Sequence, residues 1–169
     1  MNDAHLHMVV NHFPLIGTIF GIAILIAGMF LNNISVKNTA YVVFITAAIF
    51  GALSMGTGEG AEEMVEDFPN IGKAIIHEHE ELAEKLALLL YALGGLSLLT
   101  LFLSFRNNSK EKVISFLILG LGIASLFLLQ KVGTTGGEIR HTEIRDVPVG
   151  SKTVNENSTI NKEYKEDVK

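Results

Sequence analysis

Polar and apolar residues are strongly segregated along this chain, and four long stretches contain no Asp, Glu, Lys or Arg. These apolar stretches cover residues 13–31, 39–55, 86–105 and 113–130. Each is close to the ~20 residues that an α-helix needs to cross about 30 Å of hydrocarbon. Because a backbone in lipid must satisfy its own hydrogen bonds, each stretch is predicted to form a membrane-spanning helix.

The connections between these stretches predict how the helices are arranged. Residues 32–38 and 106–112 are short connections, so the helices that they join are expected to lie antiparallel beside each other. The predicted fold class is all-α: an integral membrane four-helix bundle with up-down-up-down topology, forming one transmembrane domain over residues 1–145. Gly17 and Gly21 form a GxxxG step, which either permits close helix packing or reflects how common glycine is in membrane helices.

The composition changes after the fourth apolar stretch. Gly133, Gly136 and Gly137 are expected to break the fourth helix, because glycine is a weak helix former. After Pro148 the chain consists mainly of polar residues and has little apolar surface to bury. Residues 146–169 are therefore predicted to be a polar, disordered tail.

Charge predicts an orientation in the membrane and excludes some classes of function. The two short connections are basic, whereas residues 56–85 are acidic, so the positive-inside rule places the short connections in the cytoplasm and both termini outside.

The formal net charge of −5 argues against nucleic acid as a partner. The absence of cysteine excludes disulfides, thiolate metal sites and covalent c-type haem attachment. The basic residues of the short connections are Lys37, Arg106, Lys110 and Lys112.

Candidate chemistry lies in the six histidines, all of which fall on the predicted outer side. In the third helix, His79 shares a face with Ile75 and Leu86, so its side chain is expected to point into the bundle. His77 shares its face with Glu81 and is expected to be solvated. An inward imidazole near the membrane surface requires a hydrogen-bond partner, a metal ion or a haem, and these alternatives stay open. The six histidines are His5, His7, His12, His77, His79 and His141.

The segments that lead into the first and third spans decide which histidines can meet. The third helix is expected to begin near Ile71, ahead of its apolar stretch, because Pro69 lies just before it and no proline follows up to residue 105. His12 lies at the start of the first span, at about the same depth as the start of the third. The conformation of the segment before His12 stays open. In one helix His5 would align with His12, whereas in an extended chain it would align with His7.

An acidic segment connects the second and third spans. If it is helical, its glutamates form one ridge. Their carboxylates would either complete a metal site or orient imidazoles, and the alternative is an ordinary solvated face. The glutamates are Glu59, Glu62, Glu63 and Glu66.

Several motifs resemble those of a bacterial family of small four-helix membrane proteins of unknown function. The segment from His7 to Gly17 resembles the family's His-Pro-x-x-Val-His-Phe-Pro-Ile-Gly opening, with Met8 where the family has proline. The resemblance extends over about residues 5–145 and leaves the polar tail unmatched. The other similar segments are Thr57-Gly58, His79-Glu80 and residues 136–145.

The resemblance brings no established activity, although such proteins occur beside haem proteins and respiratory components, which implies a redox context. It also implies a location in the bacterial inner membrane, where the charge pattern would place both termini of this multi-pass protein on the periplasmic side. The residues that it carries over as site candidates are His7, His12 and His79, followed by His141 and Glu63.

The first functional hypothesis is a binder of a metal ion or b-type haem at the outer face. His12 and His79 would be the cofactor ligands, and His7, His141 and Glu63 would join them in a metal site. The cofactor would be haem b or a divalent transition metal.

The equally compatible alternative is a non-catalytic subunit or scaffold of a larger membrane complex or homo-oligomer, in which these side chains only satisfy one another. A small transporter or channel is less favoured, because the predicted spans hold no ionisable residue to line a path. Enzymatic activity has the least support. The expected partners are the lipid bilayer and other membrane proteins or a second copy of the chain.

Overall fold

A computed structural model describes residues 2–69, 71–106 and 110–145, and in these ranges the chain is helical, without strands. The tail predicted to be disordered, residues 146–169, lies outside the described residues. The helices are α1 (Asp3–Val10), α2 (His12–Phe30), α3 (Ile34–Glu63), α4 (Lys73–Phe105) and α5 (Glu111–Arg140), and a short 3-10 turn follows at Thr142–Ile144.

The helices α2 to α5 form the predicted all-α four-helix bundle. Each packs against the next in sequence, and α5 also packs against α2, which closes the ring. The short helix α1 continues the line of α2 after a turn at Asn11 and packs against α3. Within the described ranges, four helical segments are long and apolar enough to cross a membrane, as expected for a multi-pass membrane protein.

The interior of the bundle is filled by large side chains from all four long helices. Tyr41 and Phe44 of α3 and Leu90 of α4 are almost completely buried. Leu88 and Phe116 are examples of the many large apolar side chains that are exposed on the outside of the helices. Apolar side chains both in the interior and on the outside are typical of a bundle whose outer surface faces lipid rather than water.

The GxxxG step on α2 serves close packing. A Cβ atom at Gly17 would lie 3.0 Å from the Ala47 Cβ, and one at Gly21 would lie 2.5 Å from the Phe44 ring. At the second distance the Phe44 ring would have to move. Glycine at these positions therefore lets α2 approach α3, as expected for small residues at membrane helix interfaces.

The helices are longer than the apolar stretches that predicted them. The prediction that α4 starts ahead of its apolar stretch is confirmed, since the helix begins at Lys73. With 30 residues each, α3 and α5 are about 45 Å long and exceed the ~30 Å of hydrocarbon in a bilayer. Helices of this length can extend beyond the hydrocarbon at one or both ends.

The expectation that three glycines break the fourth helix is wrong. The α5 helix continues through Gly133, Gly136 and Gly137 as far as Arg140. A Cβ at Gly136 would lie only 3.0 Å from the His79 Cε1 atom, so this glycine makes room for an imidazole from α4. The helix tolerates glycine there because a tertiary contact offsets its low helix propensity.

Candidate functional site

The histidine end of the bundle is the end that carries α1, the α3–α4 connection and the last turns of α5. The segment before His12, left open between helix and extended chain, is helical: Asn2 caps α1 by accepting a hydrogen bond from the His5 backbone N–H at 3.0 Å. The α1 helix lies against the end of α3, where the Asp3 carboxylate sits over Gly60 so closely that a Cβ would lie 2.5 Å from Oδ2. This packing brings His7 onto α3.

His7 is half-buried and is held through its Nδ1 atom. Nδ1 lies 3.0 Å from the Ser54 carbonyl oxygen and 3.1 Å from the Thr57 hydroxyl oxygen. A carbonyl oxygen can only accept, and the Thr57 hydroxyl already donates to a carbonyl of its own helix, that of Leu53 or Ser54. Nδ1 is therefore the protonated nitrogen, and Nε2 of the neutral ring carries the lone pair.

His79 is half-buried and is held in the same way by α5. Its Nδ1 atom lies 3.0 Å from the Thr135 hydroxyl oxygen. That hydroxyl donates to the carbonyl of Lys131 or Val132, each 3.2 Å away, so it accepts from the imidazole. The ring rests on Gly136. Nε2 of His79 is thus also the nitrogen with the lone pair.

The two imidazoles form a pair between helices that are distant in sequence. His7 lies close enough to His79 for the charge of one ring to act on the other. Both rings are fixed at Nδ1 by oxygen atoms, which is how metal-ligating histidines are usually oriented by their surroundings. Each ring can therefore present its Nε2 lone pair to a ligand. We refer to His7 and His79 together as the histidine pair.

The helical-face prediction for α4 is confirmed. His79 lies inward against α5, whereas the His77 side chain is 73% exposed and contacts Glu81, with 3.3 Å between Nε2 and Oε1. An exposed contact of this kind contributes little to stability.

The remaining predicted site residues lie around the pair without joining it in a cluster. His12 is exposed at the start of α2, and its Nδ1 lies 2.7 Å from the carbonyl oxygen of Met8. Glu63 is the exposed last residue of α3. Across residues 2–69, 71–106 and 110–145, no group of three or more His, Asp or Glu side chains is arranged to hold a metal ion. The assignment of all five residues as ligands stays a prediction.

His141 lies beyond the end of α5 and is engaged locally. Its Nδ1 atom is 2.9 Å from a carboxylate oxygen of Glu143, and both side chains are exposed. The pKa of the Glu143 carboxyl is lowered, first by a hydrogen bond from its own backbone N–H and then by the His141 imidazole. His141 therefore has a carboxylate partner of its own at the surface.

The opposite end of the bundle holds a buried polar cluster that the sequence analysis missed. The Lys37 Nζ atom lies 2.8 Å from Glu111 Oε2, and both side chains are less than 10% exposed. The Tyr41 hydroxyl donates to Glu111 Oε1 at 2.7 Å, and the Ser115 hydroxyl lies 2.7 Å from that of Tyr41. We call these four residues the inner clasp.

The apolar pattern did not indicate the inner clasp, because its two charged residues lie just outside the apolar stretches. Lys37 belongs to the first turn of α3, and Glu111 is the first residue of α5. The available signal was the spacing: Tyr41 follows Lys37 by four residues and Ser115 follows Glu111 by four, so each pair shares a helix face. Which faces meet could not be read from spacing alone.

Comparison with known proteins adds no further assignment. The chain matches no protein-family model, and it has no significant match among curated proteins or solved structures. The resemblance described above therefore stays an expectation.

Proposed function

We propose that this chain is a multi-pass membrane protein that binds a transition-metal centre, either a metal ion or the iron of a b-type haem, at its histidine end. The ligands are the Nε2 atoms of His7 and His79. The observation that carries the proposal is the common orientation of the two rings, each held through Nδ1 by a carbonyl or hydroxyl oxygen. Such a partner fixes the tautomer and raises the basicity of the ligating nitrogen.

The way in which the two rings are held supports a binding role. The two rings come from α1 and α4, and each is held by a different neighbour, His7 by α3 and His79 by α5. Glycine occurs where the His79 ring needs space, at Gly136. A site built in this way is rigid before it binds, which lowers the entropic cost of holding a metal.

We further propose that the histidine end faces the outside of a bacterial inner membrane, with both chain termini on the periplasmic side. Lys37 is neutralised by Glu111 in the inner clasp, so the positive-inside argument depends on Arg106, Lys110 and Lys112 at that end. A metal centre at the outer face fits a role in electron transfer or metal handling near respiratory components. The family resemblance supports the same context.

The alternative of a non-catalytic membrane subunit is favoured by one specific observation. Both imidazoles of the pair already have protein partners at Nδ1, so neither ring is left without a hydrogen bond in the absence of a ligand. In that case the pair would only join α1 to α3 and α4 to α5. Metal analysis separates the two functions.

The test is the metal and haem content of detergent-purified protein, measured by elemental analysis and by absorption in the Soret region. His7→Ala and His79→Ala are each expected to abolish binding. Two histidines offer matched controls, because His5 is exposed on the same helix as His7, and His77 is exposed on the same helix as His79. His5→Ala and His77→Ala are expected to bind as the wild type does. Wild-type protein that takes up neither metal nor haem would contradict the proposal.

A further inference from the structure

Basic and acidic residues are unevenly divided between the two ends of the bundle. At the end that holds the inner clasp, which we call the clasp end, residues 32–38 and 106–112 include four basic residues and one acidic residue. The acidic residue, Glu111, is paired with Lys37. Residues 56–85, at the histidine end, include nine acidic and two basic residues. The surface of the clasp end therefore carries an excess of positive charge, which attracts anions.

Arg106 has a side chain that is turned back toward the membrane. It follows the last residue of α4, Phe105, and its Cζ atom lies 5.3 Å from the centroid of the Phe102 ring. Phe102 lies one helical turn earlier and is 55% exposed on the outside of the helix. The guanidinium group thus lies along the surface of α4 that faces lipid, instead of extending away from the helix end.

An arginine in this position requires an anionic partner. Basic side chains near the ends of membrane helices usually extend toward the headgroups and water, whereas Arg106 lies over the last turn of its span. The ion pairs between described residues do not include Arg106. The Phe102 ring attracts the cation but does not neutralise its charge. A phosphate group would do so, because its oxygens match the planar fork of the guanidinium group.

The surroundings of Arg106 favour a phosphate that carries acyl chains over a free phosphate ion. Phe105 is 74% exposed, and Val113 and Phe116 are exposed on the neighbouring helix α5. Lys112, which is also exposed, directly precedes Val113. On both helices a basic residue therefore lies next to large apolar side chains. An anionic phospholipid presents the complementary order, a negative headgroup followed by hydrocarbon.

We infer that the clasp end binds an anionic phospholipid, with Arg106 as the main phosphate contact and Lys112 as a second positive charge. The acyl chains lie along the exposed apolar side chains of α4 and α5. The site is independent of the histidine pair, because it lies at the opposite end of the bundle. It also fits the proposed orientation, since the cytoplasmic leaflet carries a negative surface potential.

The experiment is a lipid titration of the detergent-purified, delipidated full chain, measured by native mass spectrometry. Phosphatidylglycerol is compared with phosphatidylcholine of the same acyl chains, and we expect the wild type to bind phosphatidylglycerol more tightly. Arg106→Gln should lower the affinity for phosphatidylglycerol about 5-fold, the effect of one positive charge near a membrane surface. Arg106→Lys keeps the charge but loses the planar fork, so its affinity should lie between the two.

Arg140 provides a matched control at the histidine end. Its Cζ atom lies 5.1 Å from the centroid of the Phe68 ring, so the two arginines make the same kind of contact at opposite ends. Arg140→Gln should leave the affinity for phosphatidylglycerol unchanged, because the surroundings of Arg140 are acidic. Equal losses in Arg106→Gln and Arg140→Gln would overturn the inference, as would equal affinity of the wild type for the two lipids.

A competition with soluble glycerol phosphate separates a lipid site from a phosphate site. We expect an equimolar amount to leave phosphatidylglycerol bound, because the apolar side chains beside Arg106 contact only acyl chains. Complete displacement of the lipid at that concentration would show that the headgroup alone is recognised, and it would overturn the inference. None of these outcomes depends on whether the histidine pair binds a metal.

Discussion

The direction of a single hydrogen bond decides what each histidine of this protein can do. At His7, a carbonyl acceptor on Nδ1 assigns the ring proton and leaves Nε2 for a ligand. The same logic applies at His12, whose Nδ1 lies against the Met8 carbonyl, but that ring is exposed. Burial and partner geometry, and not the presence of an imidazole, separate the histidine pair from the surface histidines.

Helical periodicity could identify one member of the pair and not the other. His79 was predictable because helical periodicity places it on the apolar face of a long, unbroken helix. Periodicity could not identify His7, which only the family resemblance singled out, because its partners on α3 lie about 50 residues away in sequence. A contact set by a tertiary turn leaves no periodic pattern in the chain.

Gly136 provides a residue-scale test of the packing beneath His79. In Gly136→Ala the new Cβ would lie 3.0 Å from Cε1 and 3.4 Å from Nδ1 of His79, so the ring must shift and its bond to Thr135 weakens. We expect a loss of about 1 kcal/mol in the free energy of unfolding and weaker metal binding. The measurements are thermal unfolding in detergent and a metal titration.

Gly133→Ala is the matched control, because a Cβ at Gly133 meets nothing within 4 Å. It lies in the same helix, so alanine should raise stability by up to about 1 kcal/mol through helix propensity alone. Equal effects of the two substitutions would refute the packing role assigned to Gly136.

Among the helices, the apolar pattern predicted which elements exist and how they connect, but not where they end or how their faces meet. The four spans and their antiparallel order follow from lipid thickness and short connections, which are local properties of the sequence. The continuation of α5 through three glycines depends on a contact with α4, and the inner clasp depends on α3 facing α5. Both are tertiary properties.

The inner clasp gives an element-scale prediction about how α3 and α5 are held together. Lys37→Met would leave the Glu111 carboxylate buried with only hydroxyl partners, and we expect it to lower the free energy of unfolding by about 3 kcal/mol. The double variant Lys37→Met/Glu111→Leu removes both charges and should recover most of that loss. Thermal unfolding in detergent measures both effects.

Lys112→Met is the control, because Lys112 is exposed one residue after Glu111. Its substitution should change the free energy of unfolding by no more than about 0.5 kcal/mol. A double variant as unstable as Lys37→Met alone would show that the clasp is not acting as a buried ion pair.

At the level of the whole molecule, the two ends of the bundle have different chemistry. The histidine end combines exposed acidic residues with two half-buried imidazoles, and the opposite end combines basic residues with a buried ion pair. The orientation proposed above turns the histidine end outward. It is the end at which an extracytoplasmic metal would first meet the protein.

The absence of native cysteine makes this orientation directly measurable. Glu63 and Lys112 are exposed at opposite ends of the bundle, so each can be replaced by a single cysteine. In intact cells, a membrane-impermeant maleimide should label Glu63→Cys, and it should label Lys112→Cys only after permeabilisation. The reverse pattern would place the histidine end in the cytoplasm.

The most direct test of the central claim is the metal and haem content per chain of the purified wild type beside a His7→Ala/His79→Ala double variant of equal helix content. If the histidine pair is a metal centre, the wild type binds one metal ion or haem per chain and the double variant binds none. Equal content in the two proteins, or none in either, would contradict the account.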